Sequence, residues 1–293
     1  MPSKSSGPAG RRPATASRWS RAAATSIVVL VALAVGYLAI GHRAATERAT
    51  GCLAGSGKNE LALSVSQAGI AATIAGVASK RAMPSRAVAI AYAAALQESK
   101  LSNLPYGDLD SVGVFQQRPS EGWGTKQQIE NPVYASSRFL AALAAVPGYL
   151  HMPIYAAAQA VQRSADGSAY GQYAGIGTDL ARAFTGSTPH AVWCSYGAPV
   201  GRARLPAAVR ALTRAYGPVR AKDTRDPSAS LAVRTPRQGW SVASWLVSHA
   251  ASYGITYVRF GGYEWHATSG PEHWIRMRDP RRGPAATAGV VFG

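Results

Sequence analysis

Glu98 closes an alanine-rich stretch, Ser85-Arg-Ala-Val-Ala-Ile-Ala-Tyr-Ala-Ala-Ala-Leu-Gln-Glu-Ser99, and Gly113-Val114-Phe115-Gln116 begins fifteen residues later. Read as a helix, the stretch puts Ala95, Ala94 and Ala91 three, four and seven positions behind Glu98, on the same face. These neighbours are small and uncharged, so other backbone can approach and displace water from the carboxyl. Lost hydration penalises the anion. The partial negative charge at a helix C-terminus penalises it further. Both favour the protonated acid, the form that can hand a proton to a glycosidic oxygen. Glu98 is therefore the candidate catalytic residue, with a solvated surface glutamate as the plainer alternative.

The next segment supplies groups that a sugar site needs. Gly107, Gly113, Gly122 and Gly124 let backbone pass close to a ligand. Gln116 and Gln117 offer amide donors and acceptors, and Tyr106 and Trp123 offer flat faces for sugar rings. Ser99, directly after the acid, joins the candidate binding set with Gln159 and Gln162 from a later helical stretch. Asp108 and Asp110 are candidates for a second carboxylate. An inverting hydrolase needs its base about 6.5–9.5 Å from the acid and a retaining one about 5–5.5 Å. The same Gly-Asp-x-Asp-Ser run also suits Asx turns. It is not a calcium loop of the usual form, because Val112 and Pro119 stand where the fifth and twelfth positions need ligands.

At this point the chain resembles a family. Glu98-Ser99 followed by Gly113-Val114-Phe115-Gln116 and Pro119 is similar to the Glu-Ser … Gly-Leu-Met-Gln-x-x-Pro pattern of the soluble lytic transglycosylase and goose-type lysozyme superfamily. The resemblance covers about residues 60–185. It implies a mostly helical lysozyme-like fold and peptidoglycan as substrate. It also implies one Glu acting first as acid and then as base, while the sugar's own hydroxyl attacks and leaves an anhydro-sugar end. Glu98 would carry that role. The family commonly has a later Tyr-Asn pair lining the cleft. The corresponding helix here, 156–163, has Gln159 and Gln162 and no Asn. Phe115-Gln-Gln-Arg-Pro-Ser-Glu-Gly-Trp-Gly124 also looks like a group of actinobacterial secreted proteins. Two function classes stand: a peptidoglycan-cleaving enzyme, and a wall-binding or scaffolding protein that keeps a lysozyme-like groove without turnover.

Apolar spacing predicts the elements that must position these residues. Helices are expected over 59–80, over 85–99 after Pro84, over 131–145 after Asn131-Pro132, and then over 156–163, 177–183 and 204–216. Beyond the polar run 222–228 the pattern changes. A strand is expected over 231–233, an amphipathic helix over 240–253 with His249 on its inward face, and a hairpin from 255–260 and 263–266 about Gly261-Gly262. Further strands are expected at 274–275 and 290–292. The expected architecture is a mostly α lysozyme-like domain (58–187), a helix and linker (188–228) and a small α+β domain (229–293).

Residues 22–41 carry no charge, and at helical rise they span roughly 30 Å, a bilayer's hydrocarbon core. The preceding Lys4, Arg11, Arg12, Arg18 and Arg21 predict a basic cytoplasmic tail (1–21), a transmembrane helix (22–41), a stalk (42–57) and an extracytoplasmic bulk. An uncleaved signal anchor and a long cleavable signal peptide both fit. Outside the cell, Cys52 and Cys194 are expected to be oxidised to a disulfide. The net charge of +17 suits an anionic partner. On the predicted side of the membrane, anionic lipid, peptidoglycan or another anionic cell-wall polymer fits better than nucleic acid, and a basic surface that serves only solubility is the plainer alternative. No metal or other cofactor is expected. His266 and His273, beside Glu264 and Glu272, lack metal-site spacing. No nucleophile elbow, P-loop or dinucleotide fingerprint occurs.

Overall fold

A computed structural model of the chain describes residues 50–57, 60–163, 167–223, 228–268, 274–278 and 289–293. The expected tail, the membrane helix, the stalk as far as residue 49, and the pair Glu272 and His273 lie outside the described residues. Among the described residues, no helix is long and apolar enough to cross a membrane.

In chain order, β1 (Gly51–Ala54) and β2 (Leu61–Leu63) precede α1 (Val65–Lys80) and α2 (Ser85–Ser99). Then come α3 (Lys126–Ile129), α4 (Pro132–Ala144), α5 (Ile154–Gln162), a 3-10 turn over Gly167–Tyr173, α6 (Ala174–Phe184), β3 (Val192–Ser195) and α7 (Leu205–Tyr216). The chain closes with β4 (Ala221–Asp223), β5 (Ala229–Ala232), α8 (Pro236–Ser248), α9 (Ala250–Tyr253), β6 (Tyr257–Phe260), β7 (Tyr263–His266), β8 (Ile275–Arg276) and β9 (Gly289–Phe292). About half of the described residues are helical, and both sheets are antiparallel. One has the order β2-β1-β3 and the other β4-β5-β9-β6-β7-β8.

The interior is built on α1 and α2. In α1 every residue from Ala68 to Ala78 is buried, and in α2 every residue from Ala87 to Leu96. A helix with small or apolar side chains all round can be covered on every side. Accordingly α1 packs against α4, α7 and α8, and α2 against α5 and α6. The α2–α6 approach depends on Gly177, where a Cβ would sit 2.8 Å from the Ala89 carbonyl oxygen.

Two stretches differ from the sequence reading. Residues 51–54, expected within a polar stalk, form β1, with Cys52 and Ala54 inward. Residues 61–63, expected to open a helix, form β2; α1 starts only after its N-cap Ser64, whose hydroxyl and the Gln67 side chain make a reciprocal capping box. Cys52 and Cys194 face each other in register across β1 and β3 and form a disulfide.

The hairpin at Gly261-Gly262 forms as expected, with φ of 60° and 82° at the two glycines. The six-stranded sheet does not stand apart from the helices. α8 contacts β6 and β9 as well as α1 and α6, and one hydrophobic core runs through all of them. Ala49–Gly293 is one compact unit.

His249 caps the C-terminus of α8, part-buried against that core. Its ring stacks on Trp245 with centroids 4.0 Å apart, and Nδ1 lies 2.8 Å from the Trp245 carbonyl oxygen. Burial lowers its pKa from 6.5 to about 4. The folded state thus binds this proton more weakly than the unfolded chain does. The stability is fully present above pH 6.5 and is lost as pH falls towards 4, by roughly 3 kcal/mol in all. Urea melts at pH 7 and pH 5 should therefore differ, and His249→Phe should shrink the difference. An unchanged difference in the variant would assign the acid sensitivity elsewhere.

Candidate functional site

Glu98 occupies the penultimate position of α2, half-buried. The helix stops directly after it. Lys100 and Leu101 take the left-handed conformation, with φ of 55° and 59°, and their amides return to the Leu96 and Ala95 carbonyls. The helix thus ends in a left-handed cap made without glycine. Two consecutive non-glycine residues in that region cost of order 1–3 kcal/mol each, so packing must impose the stop.

Ser99 is one source of that packing. Its buried hydroxyl donates to the Val114 carbonyl at 2.7 Å, and it accepts from the Ser102 amide at 3.1 Å. Ser99 thus ties the helix end to the Gly113-Val114-Phe115-Gln116 turn and points away from solvent. Gly113, with φ of 79°, leaves only 2.7 Å between a would-be Cβ and the Ile129 carbonyl oxygen. On the other side, Gln162 at the end of α5 donates to the Phe115 carbonyl at 2.7 Å. The turn is therefore held by one side chain from α2 and one from α5.

The carboxyl of Glu98 has a partner that sequence reasoning missed. Tyr170, fully buried in the 3-10 turn before α6, donates its hydroxyl to Glu98 Oε1 at 2.6 Å. Gln172 donates to Gln97 at 3.2 Å, and the Tyr173 hydroxyl bonds the Lys100 ammonium. The turn thus lies along the end of α2. The only local signal was the tyrosine pair in Ala169-Tyr-Gly-Gln-Tyr173, which nothing nearby in sequence connects to Glu98.

The other predicted binding residues divide. Gln116 folds back on its own loop, with Nε2 donating to the Gly113 and Tyr106 carbonyls at 3.1 and 3.3 Å. Gln117 is 2 % exposed, and both of its amide atoms are buried without a hydrogen-bond partner among the described residues. Tyr106 is 68 % exposed. Trp123 and Gln162 share an open groove of about 810 Å3 between α4 and the end of α5, together with Arg138 and Arg163. Glu98, Ser99, Tyr106, Gln116, Gln117 and Gln159 are not among the residues lining it.

Asp110 is engaged by its own loop. It accepts from Arg118 Nε at 2.7 Å, from the Ser120 amide at 2.8 Å and from the Ser120 hydroxyl at 2.9 Å. These bonds, the one from Arg118 foremost, hold its pKa at about 2. A carboxylate so occupied is poorly suited to accept a proton from water, so the structure offers Asp110 as a loop clamp rather than a base. Asp108 is exposed on the same loop. Among the described residues, no group of three or more His, Cys, Asp or Glu side chains could hold a metal ion. Glu264 bonds Arg259 and His266 on the outer side of the hairpin.

No family model matches the chain, and no curated protein matches it in sequence.

Proposed function

We propose that this protein cleaves peptidoglycan outside the cytoplasm in the manner of a lytic transglycosylase, with Glu98 as the single acid and base. One observation carries the reading. A half-buried carboxyl ends an apolar helix, is held by a fully buried tyrosine hydroxyl at 2.6 Å, and stands next to the residue that anchors a Gly-x-x-Gln turn.

The chemistry requires one group that gives a proton and then takes one. Protonated Glu98 would donate to the glycosidic oxygen as its bond to the anomeric carbon breaks. The carboxylate would then accept the proton of a hydroxyl on the same sugar as that oxygen bonds the anomeric carbon. The anhydro end forms, no water is consumed, and the acid is regenerated. Tyr170 suits both halves of the cycle, because a phenolic hydroxyl can donate to the carboxylate and accept from the acid. No second carboxylate is needed, which agrees with the engagement of Asp110 by Arg118. The net charge of +17 favours residence on an anionic wall.

A second reading, wall binding without turnover, is favoured by the groove that holds Trp123, Arg138 and Gln162 but not Glu98. Incubation of the purified full chain with peptidoglycan separates the two. Soluble muropeptides with anhydro ends support the enzyme. Co-sedimentation with the wall and no soluble product supports the binder.

A further inference from the structure

We propose a second site, for a doubly charged phosphate group, in a pocket between the end of α1, the start of α4 and the last turn of α7. Its volume is about 360 Å3. Three cations line it, Lys80 and Arg81 from the end of α1 and Arg214 from α7, and no aspartate or glutamate does. None of the three has an acidic partner within salt-bridge distance among the described residues. Lys80 Nζ instead reaches the Arg214 carbonyl at 3.5 Å.

Helix ends account for part of this charge. The C-termini of α1 and α7 each present about half a negative charge, and the N-terminus of α4 presents about half a positive one. Three full positive charges therefore leave an excess of about two and a half. A terminal phosphate at neutral pH, about −1.5 to −2, neutralises most of it. A single carboxylate or a phosphodiester would neutralise less than half of it. The α4 amides contribute field rather than bonds, since Asn131 Oδ1 already accepts from the Val133 and Tyr134 amides. The guanidinium groups of Arg81 and Arg214 supply forked donors matched to phosphate oxygens. Val77 and Val133 line the apolar part of the pocket, where the group esterified to the phosphate would rest.

The site shares no residue with the Glu98 region, so it stands or falls separately. Calorimetric titration of the full chain with glycerol 3-phosphate should show saturable binding. Glycerophosphoglycerol, a diester with one charge, should bind at least tenfold more weakly. The Lys80→Ala/Arg81→Ala/Arg214→Ala variant should lose at least tenfold in affinity, and the exposed single change Arg81→Glu should act in the same direction. Arg202→Gln/Arg220→Gln/Arg276→Gln, a matched loss of charge elsewhere, should leave the affinity unchanged. Dihexanoyl phosphatidic acid below its aggregation limit distinguishes the source. Tighter binding than glycerol 3-phosphate assigns a lipid-linked phosphate, and equal binding a free one. Absence of saturable binding by the parent, retention of affinity in the pocket variants, or equal loss in the matched variant would overturn the site.

Discussion

Glu98→Gln is expected to lower the release of anhydro-muropeptides by about 10²–10⁴-fold, the usual contribution of a positioned proton donor or acceptor. The substitution keeps the shape of the side chain and an oxygen that can accept from Tyr170, but it removes the proton that moves. Thermal stability should change little, so lost activity would report chemistry rather than unfolding. Tyr170→Phe provides the companion measurement. It deletes the hydroxyl and leaves Glu98 in place without the contact at 2.6 Å. Removing one partner of a buried hydrogen bond costs about 1–3 kcal/mol. Turnover should accordingly fall by less than in Glu98→Gln, with the acid still present. If Glu98→Gln releases product as fast as the parent, Glu98 is not the acid.

The second large effect concerns the disulfide. Cys52 and Cys194 are 142 residues apart in sequence and lie at 3 % and 1 % exposure, inside the core. In the chain-entropy picture, a loop of that length restricts the unfolded chain by about 5 kcal/mol. Cys52→Ala/Cys194→Ala should therefore lower stability by several kcal/mol. For a folded region of this size that is on the order of 10–20 °C in Tm. The loss should appear equally in a reduced parent, because both lack the same link. The native contacts of β1 with β2 and β3 stay available in either case, so the melted fraction should refold on reoxidation of the parent and not in the double variant under the same denaturant. A double variant that melts with the oxidised parent would show that the bridge constrains little.

These two effects differ in how far they could be read before the fold was known. The Cys52–Cys194 pair needed only a count of two cysteines and the expectation that they lie outside the cell. Its consequence follows from chain length, which sequence contains. Glu98 was legible as a candidate because its neighbours at helical spacing are alanines, and local spacing decides which residues share a face. Helix α2 and the hairpin at Gly261-Gly262 were legible for the same reason: proline, paired glycines and apolar periodicity act over a few residues. His249 was placed inward by the same periodicity, and the fold stacks it on Trp245.

Contacts that span the chain were not legible. Tyr170 meets Glu98 across 72 residues of sequence, and no local pattern specifies that pairing. It arises because α6, entered from the turn that holds Tyr170, packs along α2 at Gly177. The strands at 51–54 and 61–63 are too short to announce themselves, and they exist only because β3 returns from beyond residue 190 to pair with β1. The cationic pocket joins residues 80, 81 and 214, whose separate positions in sequence give no hint of a shared surface.

By itself, then, the amino-acid order determined which residues could do chemistry, which stretches coil into helices and which two sulfurs must find each other, since each of these depends on side-chain type and near-neighbour spacing. The tertiary structure alone decided that a buried tyrosine holds the carboxyl, that Ser99 faces inward as a tie, and that the sheet and the helices share one core. These outcomes depend on close packing between segments far apart in the chain, where the energy of a contact is set by what the whole fold brings against it.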